Sequence, residues 1–205
     1  MSSEGPYARG EHAGAPVAML LAGPNGAGKS TSSRLLVPRQ CVFLNADVIA
    51  ARLRKEGHQA EGLDIAAGRA VLAEMRRLVG VGGSFCVATN LAGRGLVQTV
   101  HSWQTRGYRV WLYFVALRSP ELAIARVAAR VAGGGHYVAD EVVRRRWKAG
   151  LKALFEVYID AVDQWSVVDN SERVAVPVAR GGGGALEIED GARWSELRRL
   201  AENGR

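Results

Sequence analysis

The sequence predicts an α/β domain: a parallel sheet with helices on both faces. Three observations predict it. Short continuous apolar runs alternate with amphipathic stretches along most of the chain. A glycine-rich segment, Gly23-Pro-Asn25-Gly26-Ala27-Gly28-Lys29-Ser30, stands between the first of these runs and a helical stretch. The aromatic and β-branched run Arg109 to Leu117 gives a strong mid-chain strand, followed directly by a helix start at Ser119-Pro120-Glu121.

Taken in order, residues 1–15 are rich in Gly, Ser and Ala without periodicity and read as a flexible leader, leaving 16–205 for one domain. Val17 to Ala22 is apolar throughout, as a strand covered on both faces requires. A helix is expected from Lys29 to Leu36, stopped near Pro38. A second strand, Val42 to Asn45, leads into a helix over Val48 to Lys55, and Ile65 to Val79 has helical spacing. Gly80, Gly82 and Gly83 separate that helix from a strand at Ser84 to Ala88, and a helix follows over Leu96 to Arg106. The helix opened by Ser119 runs towards Val131 and ends in three glycines; a longer one spans Asp140 to Ile159. Trp165 to Asp169 is the next strand. The tail carries a strand at Val174 to Ala179, a turn at Gly181 to Gly184, a strand at Leu186 to Ile188 and a helix near Trp194 to Ala201.

At 205 residues with 48% hydrophobic content, the chain has enough apolar material for a full core. The leading apolar run is too short for a membrane span and lacks the flanks of a signal peptide, so the expected location is cytoplasmic. Cys41 and Cys86 read as reduced thiols without a catalytic setting. The net charge of +7 suits anionic partners or a solvated basic surface alike.

In a parallel sheet, ligands bind beyond the carboxyl ends of the strands, so the residues after each strand carry the chemistry. Gly23-x4-Gly28-Lys29-Ser30 has the full spacing of a phosphate-binding P-loop, with a strand before it and a helix after. Glycines let backbone N–H groups converge on phosphate oxygens, and the helix N-terminus adds positive charge there. Gly23, Asn25, Gly26, Ala27, Gly28, Lys29, Ser30 and Thr31 are therefore the expected ATP-binding residues. Lys29 would reach the β- and γ-phosphates, and the Ser30 hydroxyl would hold Mg²⁺. The guanine motif Asn-Lys-x-Asp and the Leu-Ser-Gly-Gly-Gln transporter signature are absent, leaving a small kinase as the expected class.

After the second strand stands Asn45-Ala46-Asp47. A carboxylate there can take a proton from an acceptor hydroxyl; equally, Asp47 can serve as a helix N-cap.

The segment Gly23 to Thr31 together with Phe43-Leu44-Asn45-Ala46-Asp47-Val48-Ile49-Ala50 resembles the zeta-toxin family of P-loop kinases, in its compact branch. Leu91-Ala92-Gly93-Arg94, Ser119 to Val127, Gly134-Gly135-His136 and Val142 to Arg146 agree with it, so the likeness runs from about Val17 to the last helix. The resemblance implies phosphorylation of the 3′-hydroxyl of the sugar in UDP-N-acetylglucosamine with ATP and Mg²⁺. It makes Asp47 the base, and it raises an antitoxin protein as a partner. Relatives read Glu-Thr-Thr-Leu-Ser-Gly after the third strand; here the run is Ala88-Thr89-Asn90-Leu91-Ala92-Gly93. Either Asp47 suffices, or the acceptor differs, or activity is weakened.

Arg126 and Arg130 share a helix face, and Arg144, Arg145 and Arg146 fan over about 200° of the next helix, so one or two can face the loop. Such an arrangement suits an Arg-rich lid over the transferring phosphoryl group, or else a solvated basic face. With the resemblance, which also implies phosphate-binding arginines here, the expectation is Arg130 with Arg144 or Arg145. His136 either contacts the nucleotide or the lid carboxylates, or has no role. Asn45, Thr89, Asn90, Arg94 and Arg126 complete the expected site as acceptor-binding residues.

The expectation is thus a P-loop kinase-type sheet with a helical Arg-rich lid, transferring the γ-phosphoryl of ATP to a small hydroxyl acceptor such as a nucleotide sugar. Two rivals stand beside it: a catalytically weak ATP-binding regulatory module, favoured by Ala88, and a nucleic-acid-directed kinase or binder, favoured by charge but lacking a nucleic-acid motif.

Overall fold

The computed structural model describes residues 14–57 and 62–203. Most of the expected leader, residues 1–13, lies outside that range. Seven strands join in one sheet of order β2-β3-β1-β4-β5-β6-β7. The strands are β1 (Val17–Ala22), β2 (Val42–Leu44), β3 (Phe85–Thr89), β4 (Arg109–Ala116), β5 (Gln164–Asp169), β6 (Val176–Gly182) and β7 (Ala185–Ile188). The first five are parallel; β6 and β7 are antiparallel additions at one edge. β1 is central and buried at every residue, which is why its sequence is an unbroken apolar run.

The helices are α1 (Lys29–Leu36), α2 (Ala46–Lys55), α3 (Leu63–Gly80), α4 (Val97–Thr105), α5 (Pro120–Ala132), α6 (Asp140–Ala153), α7 (Ile159–Ala161) and α8 (Gly191–Glu202). A π-helical turn, Leu154–Tyr158, joins α6 to α7, where one uninterrupted helix was expected. α5 starts as its sequence predicts, with Ser119 Oγ accepting from the Leu122 N–H (3.2 Å) and Pro120 in the first turn. α2 starts two residues earlier than expected, because Asn45 is its cap: Asn45 Oδ1 accepts the Asp47 N–H at 2.9 Å.

The tail hairpin also differs in detail. Gly181 and Gly182 lie inside β6, not in the turn. A Cβ on Gly181 would come within 2.7 Å of the Trp165 ring, and one on Gly182 within 2.2 Å of the Asp163 carbonyl oxygen. The turn itself is Gly183-Gly184, both with positive φ, as a two-residue hairpin loop demands.

Trp103 and Tyr113 are buried core aromatics, Trp111 is partly buried against the same core, and Phe85 meets Trp103 edge-on at 5.1 Å. Both cysteines are free thiols, and burial raises the pKa of each, Cys41 to about 11. Among the described residues, no helix is long and apolar enough to cross a membrane.

The register sets up the site. Ala22, the last residue of β1, lies opposite Thr89 of β3, and Leu44 of β2 lies opposite Val87. The segments after β1, β2 and β3 therefore leave the sheet together at one edge.

Candidate active site

At that edge a cleft of about 450 Å³ is bounded by the P-loop, the start of α2, the end of β3 and the facing sides of α5 and α6. The loop is built for close approach. Gly23, Gly26 and Gly28 all have positive φ, and a Cβ on Gly26 would come within 2.6 Å of the Ala123 carbonyl oxygen. The loop thus packs directly on α5. Gly28 caps α1, whose N-terminus has no side-chain cap hydrogen bond. Its first-turn N–H groups face the cleft as an anion-binding end.

Lys29 directs its ammonium at the Gly23 and Pro24 carbonyl oxygens (2.6 and 2.9 Å) and at Asn90 Oδ1 (3.3 Å). Burial draws its pKa down to about 8; Asp47 opposes that shift, while Arg130 and Arg146 add to it. The Ser30 hydroxyl accepts from Asn45 Nδ2 at 3.1 Å, which leaves it a second lone pair. Asn45 is itself buried. Its amide links Ser30 to the backbone of Asp47, at the lining of the cleft.

Asp47 stands in the first turn of α2 with an exposed carboxylate, 4.0 Å from Arg130 Nη1. Asn45 takes the capping role, so the Asp47 carboxylate is not spent on the start of α2, and Asp47 lines the cleft. Arg130 also donates to the His136 carbonyl oxygen (2.8 Å), which closes the glycine-rich α5–α6 connection over the cleft. Arg126 also lines the cleft, and it donates to the carbonyl oxygens of Asn170 (2.6 Å) and Ser171 (3.0 Å), pinning the segment after β5 beside the loop. Asn170 Nδ2 in turn donates to the Ala27 carbonyl oxygen at 2.9 Å.

The helix phase of α6 corrects the lid. Arg146, not Arg144 or Arg145, lines the cleft, and it lies 3.3 Å from Asn25 Oδ1. Arg144 pairs with Glu121, and Arg145 is solvent-exposed outside the cleft lining. Arg94 is likewise outside it, 3.8 Å from Glu156. Thr89 and Asn90 do line the cleft, with Ala88 beside them. Thr89 Oγ1 accepts from the Leu91 N–H (3.0 Å), and Leu91 has φ of +55°, a strained backbone at the loop that aims Asn90. Asp64, His136 and Arg146 are lining residues that sequence reasoning left out or left open; Asn170 braces the loop from below.

A P-loop at the switch point of a 2-3-1-4-5 parallel sheet, with an arginine-bearing helical pair above it, defines a protein of the P-loop kinase-like fold. The AAA domain family model matches residues 19–157, and the chain belongs to that family. An uncharacterized protein of Haemophilus influenzae is 27% identical over 130 residues, covering 63% of this chain and 91% of that one. Among solved structures, the AvrRxo1-ORF1:AvrRxo1-ORF2 complex with ATP matches with a TM-score of 0.72 at 18% identity, over 89% of this chain and 63% of that chain. The PezAT chromosomal toxin–antitoxin system of Streptococcus pneumoniae matches with a TM-score of 0.59 at 16% identity, over 95% and 87% of the two chains. The chain thus spans about 63% of the length of the AvrRxo1 chain it matches. These structural likenesses are likenesses of fold.

Proposed function

We propose that this protein is an ATP-dependent small-molecule kinase. The observation that carries the reading is the pairing, in one cleft, of an uncapped P-loop helix with a carboxylate, Asp47, held 4.0 Å from Arg130. In this mechanism Asp47 accepts the proton of the acceptor hydroxyl as the oxygen attacks the γ-phosphorus. A new P–O bond to the acceptor forms, the bond from the γ-phosphorus to the β–γ bridging oxygen breaks, and ADP leaves. Lys29, Arg130 and Arg146 neutralise the oxygens of the group in flight. The free lone pair of Ser30 would hold Mg²⁺, which would supply positive charge to offset that of the phosphates. Asn45 orients the Ser30 oxygen for that contact and fixes the start of α2, which carries Asp47.

The finer reading is that the acceptor is a nucleotide sugar of the UDP-N-acetylglucosamine kind and that an antitoxin protein is a partner. It rests on the zeta-toxin resemblance and on the fold shared with the PezAT system. Ala88 in the cleft favours a second reading, a slow ATP-binding regulatory module. Asp47→Asn separates them: ATP binding by calorimetry is retained, while phosphoryl transfer to acceptor, followed by mass spectrometry, falls by about a thousandfold. Full turnover in the variant removes Asp47 from the base role. ATP binding by the native protein without transfer to any nucleotide sugar or simple sugar favours the regulatory module.

A further inference from the structure

Ala88 gives the end of β3 no carboxylate, yet a second carboxylate beside Asp47 does enter the cleft. It comes from another element, the first turn of α3: Asp64 lines the same cavity as Asp47 and Ala88. We propose that Asp64 determines acceptor specificity, and that the ring it selects is an uncharged polyol, a sugar presenting one hydroxyl to Asp47 and a second to Asp64. The proposal rests on the kinase reading above.

Three features of the cleft support it. Asp64 has a largely exposed carboxylate, and its one side-chain neighbour at ion-pair distance among the described residues is His136, whose Nε2 lies 3.9 Å away. Its oxygens are therefore open to a ligand. Lys29, Arg126, Arg130 and Arg146 also line the cleft, but no lysine or arginine among the described residues pairs with Asp64: Lys29 reaches the loop carbonyls and Asn90, and Arg130 stands between Asp47 and the His136 carbonyl. The wall containing Asp47, Asp64, Thr89 and Asn90 offers carboxylates, a hydroxyl and an amide. Carboxylates accept hydrogen bonds and repel anions, so the part of this wall at Asp64, where no lysine or arginine among the described residues pairs, matches a ring hydroxyl and disfavours an anionic group. Any diphosphate on the acceptor must lie clear of the two aspartates. A second anchored hydroxyl also does what a lone base cannot, fixing the ring so that the first hydroxyl faces the γ-phosphorus.

The test is steady-state kinetics of the native protein, Asp64→Asn and Asp64→Glu with ATP and three acceptors: N-acetylglucosamine, UDP-N-acetylglucosamine and the anionic sugar glucuronate. Loss of a hydrogen bond to a charged group corresponds to about tenfold or more in affinity. Asp64→Asn should raise the acceptor KM by that factor and leave the ATP KM within about twofold, with Asp64→Glu close to native. An unchanged acceptor KM in a folded Asp64→Asn protein overturns the role, and a native preference for glucuronate overturns the substrate class. Failure of the native protein to phosphorylate any hydroxyl acceptor instead removes the kinase reading, and the Asp64 role falls with it.

Discussion

The ammonium of Lys29 lies near three oxygens, yet burial outweighs them and brings its pKa to about 8. Two pH effects follow with opposite signs. Triphosphate affinity should fall as pH rises from 7 to 9, as the ammonium loses its proton, and Lys29→Met should abolish most of that slope in calorimetric titrations. For folding, the native pKa lies below the ordinary lysine value of 10.5, so between about 8 and 10.5 the unfolded chain binds more protons. The contribution of Lys29 to stability therefore increases with pH across that window. Asn45 provides a second residue-scale expectation. Asn45→Ala should cost about 1 kcal/mol through loss of the cap, measured by denaturant melts. Asn45→Asp should keep the cap but lose the donor to Ser30, lowering kcat with little change in stability. The P-loop residues and Asp47 were legible in the sequence because their signals are local: a spacing, and a position just past a strand. Asn45 was legible as a strand-end residue but not as the cap, since Asn and Asp compete for that role two positions apart. Asp64 and Asn170 carried no local signal; distant elements bring them to the cleft and the loop.

At the scale of elements, α6 shows where reading stops. Its sequence announces three adjacent arginines, but which one faces the cleft depends on helix phase, and that is set by the buried face of Val143, Trp147 and Leu151. Arg146 lies next to Trp147 and is turned towards the P-loop, whereas Arg144 reaches Glu121 across α5. The same helix packs on the loop after β3 through Gly150, where a Cβ would come within 2.5 Å of the Asn90 carbonyl oxygen. In an open helix, Gly to Ala stabilises by about 0.5–1 kcal/mol. Here Gly150→Ala should instead destabilise by about 1–3 kcal/mol, because the neighbour is backbone. A denaturant midpoint shifted upwards would contradict the packing described. The element order itself was legible from the alternation of runs. The tail hairpin was mis-registered because Gly181 and Gly182 are selected for close packing, which looks identical in sequence to a turn.

Over the whole molecule, the five parallel strands bring their carboxyl ends to one edge, and the antiparallel tail secures that edge from one side. Asp169, the last residue of β5, forms an ion pair with Arg193 of α8 in a buried setting, and its Oδ1 also accepts from the Ser171 N–H at 2.7 Å. Ser171 Oγ accepts from the Arg118 N–H at 2.8 Å, and the Asn170 and Ser171 carbonyls receive Arg126. Arg193→Met would leave Asp169 buried without its partner, at a cost of about 3 kcal/mol or more in thermal or denaturant melts. The double variant with Asp169→Leu should recover part of that loss.

The bond from Asn170 to the Ala27 carbonyl gives this tail a further meaning. The family match ends at residue 157, so the brace beneath the phosphate loop comes from sequence beyond it. The loop resembles the head of an arch whose keystone is cut from the far end of the chain. A protein shortened to the matched segment would keep every residue of the P-loop motif and lose the part that holds the loop in shape.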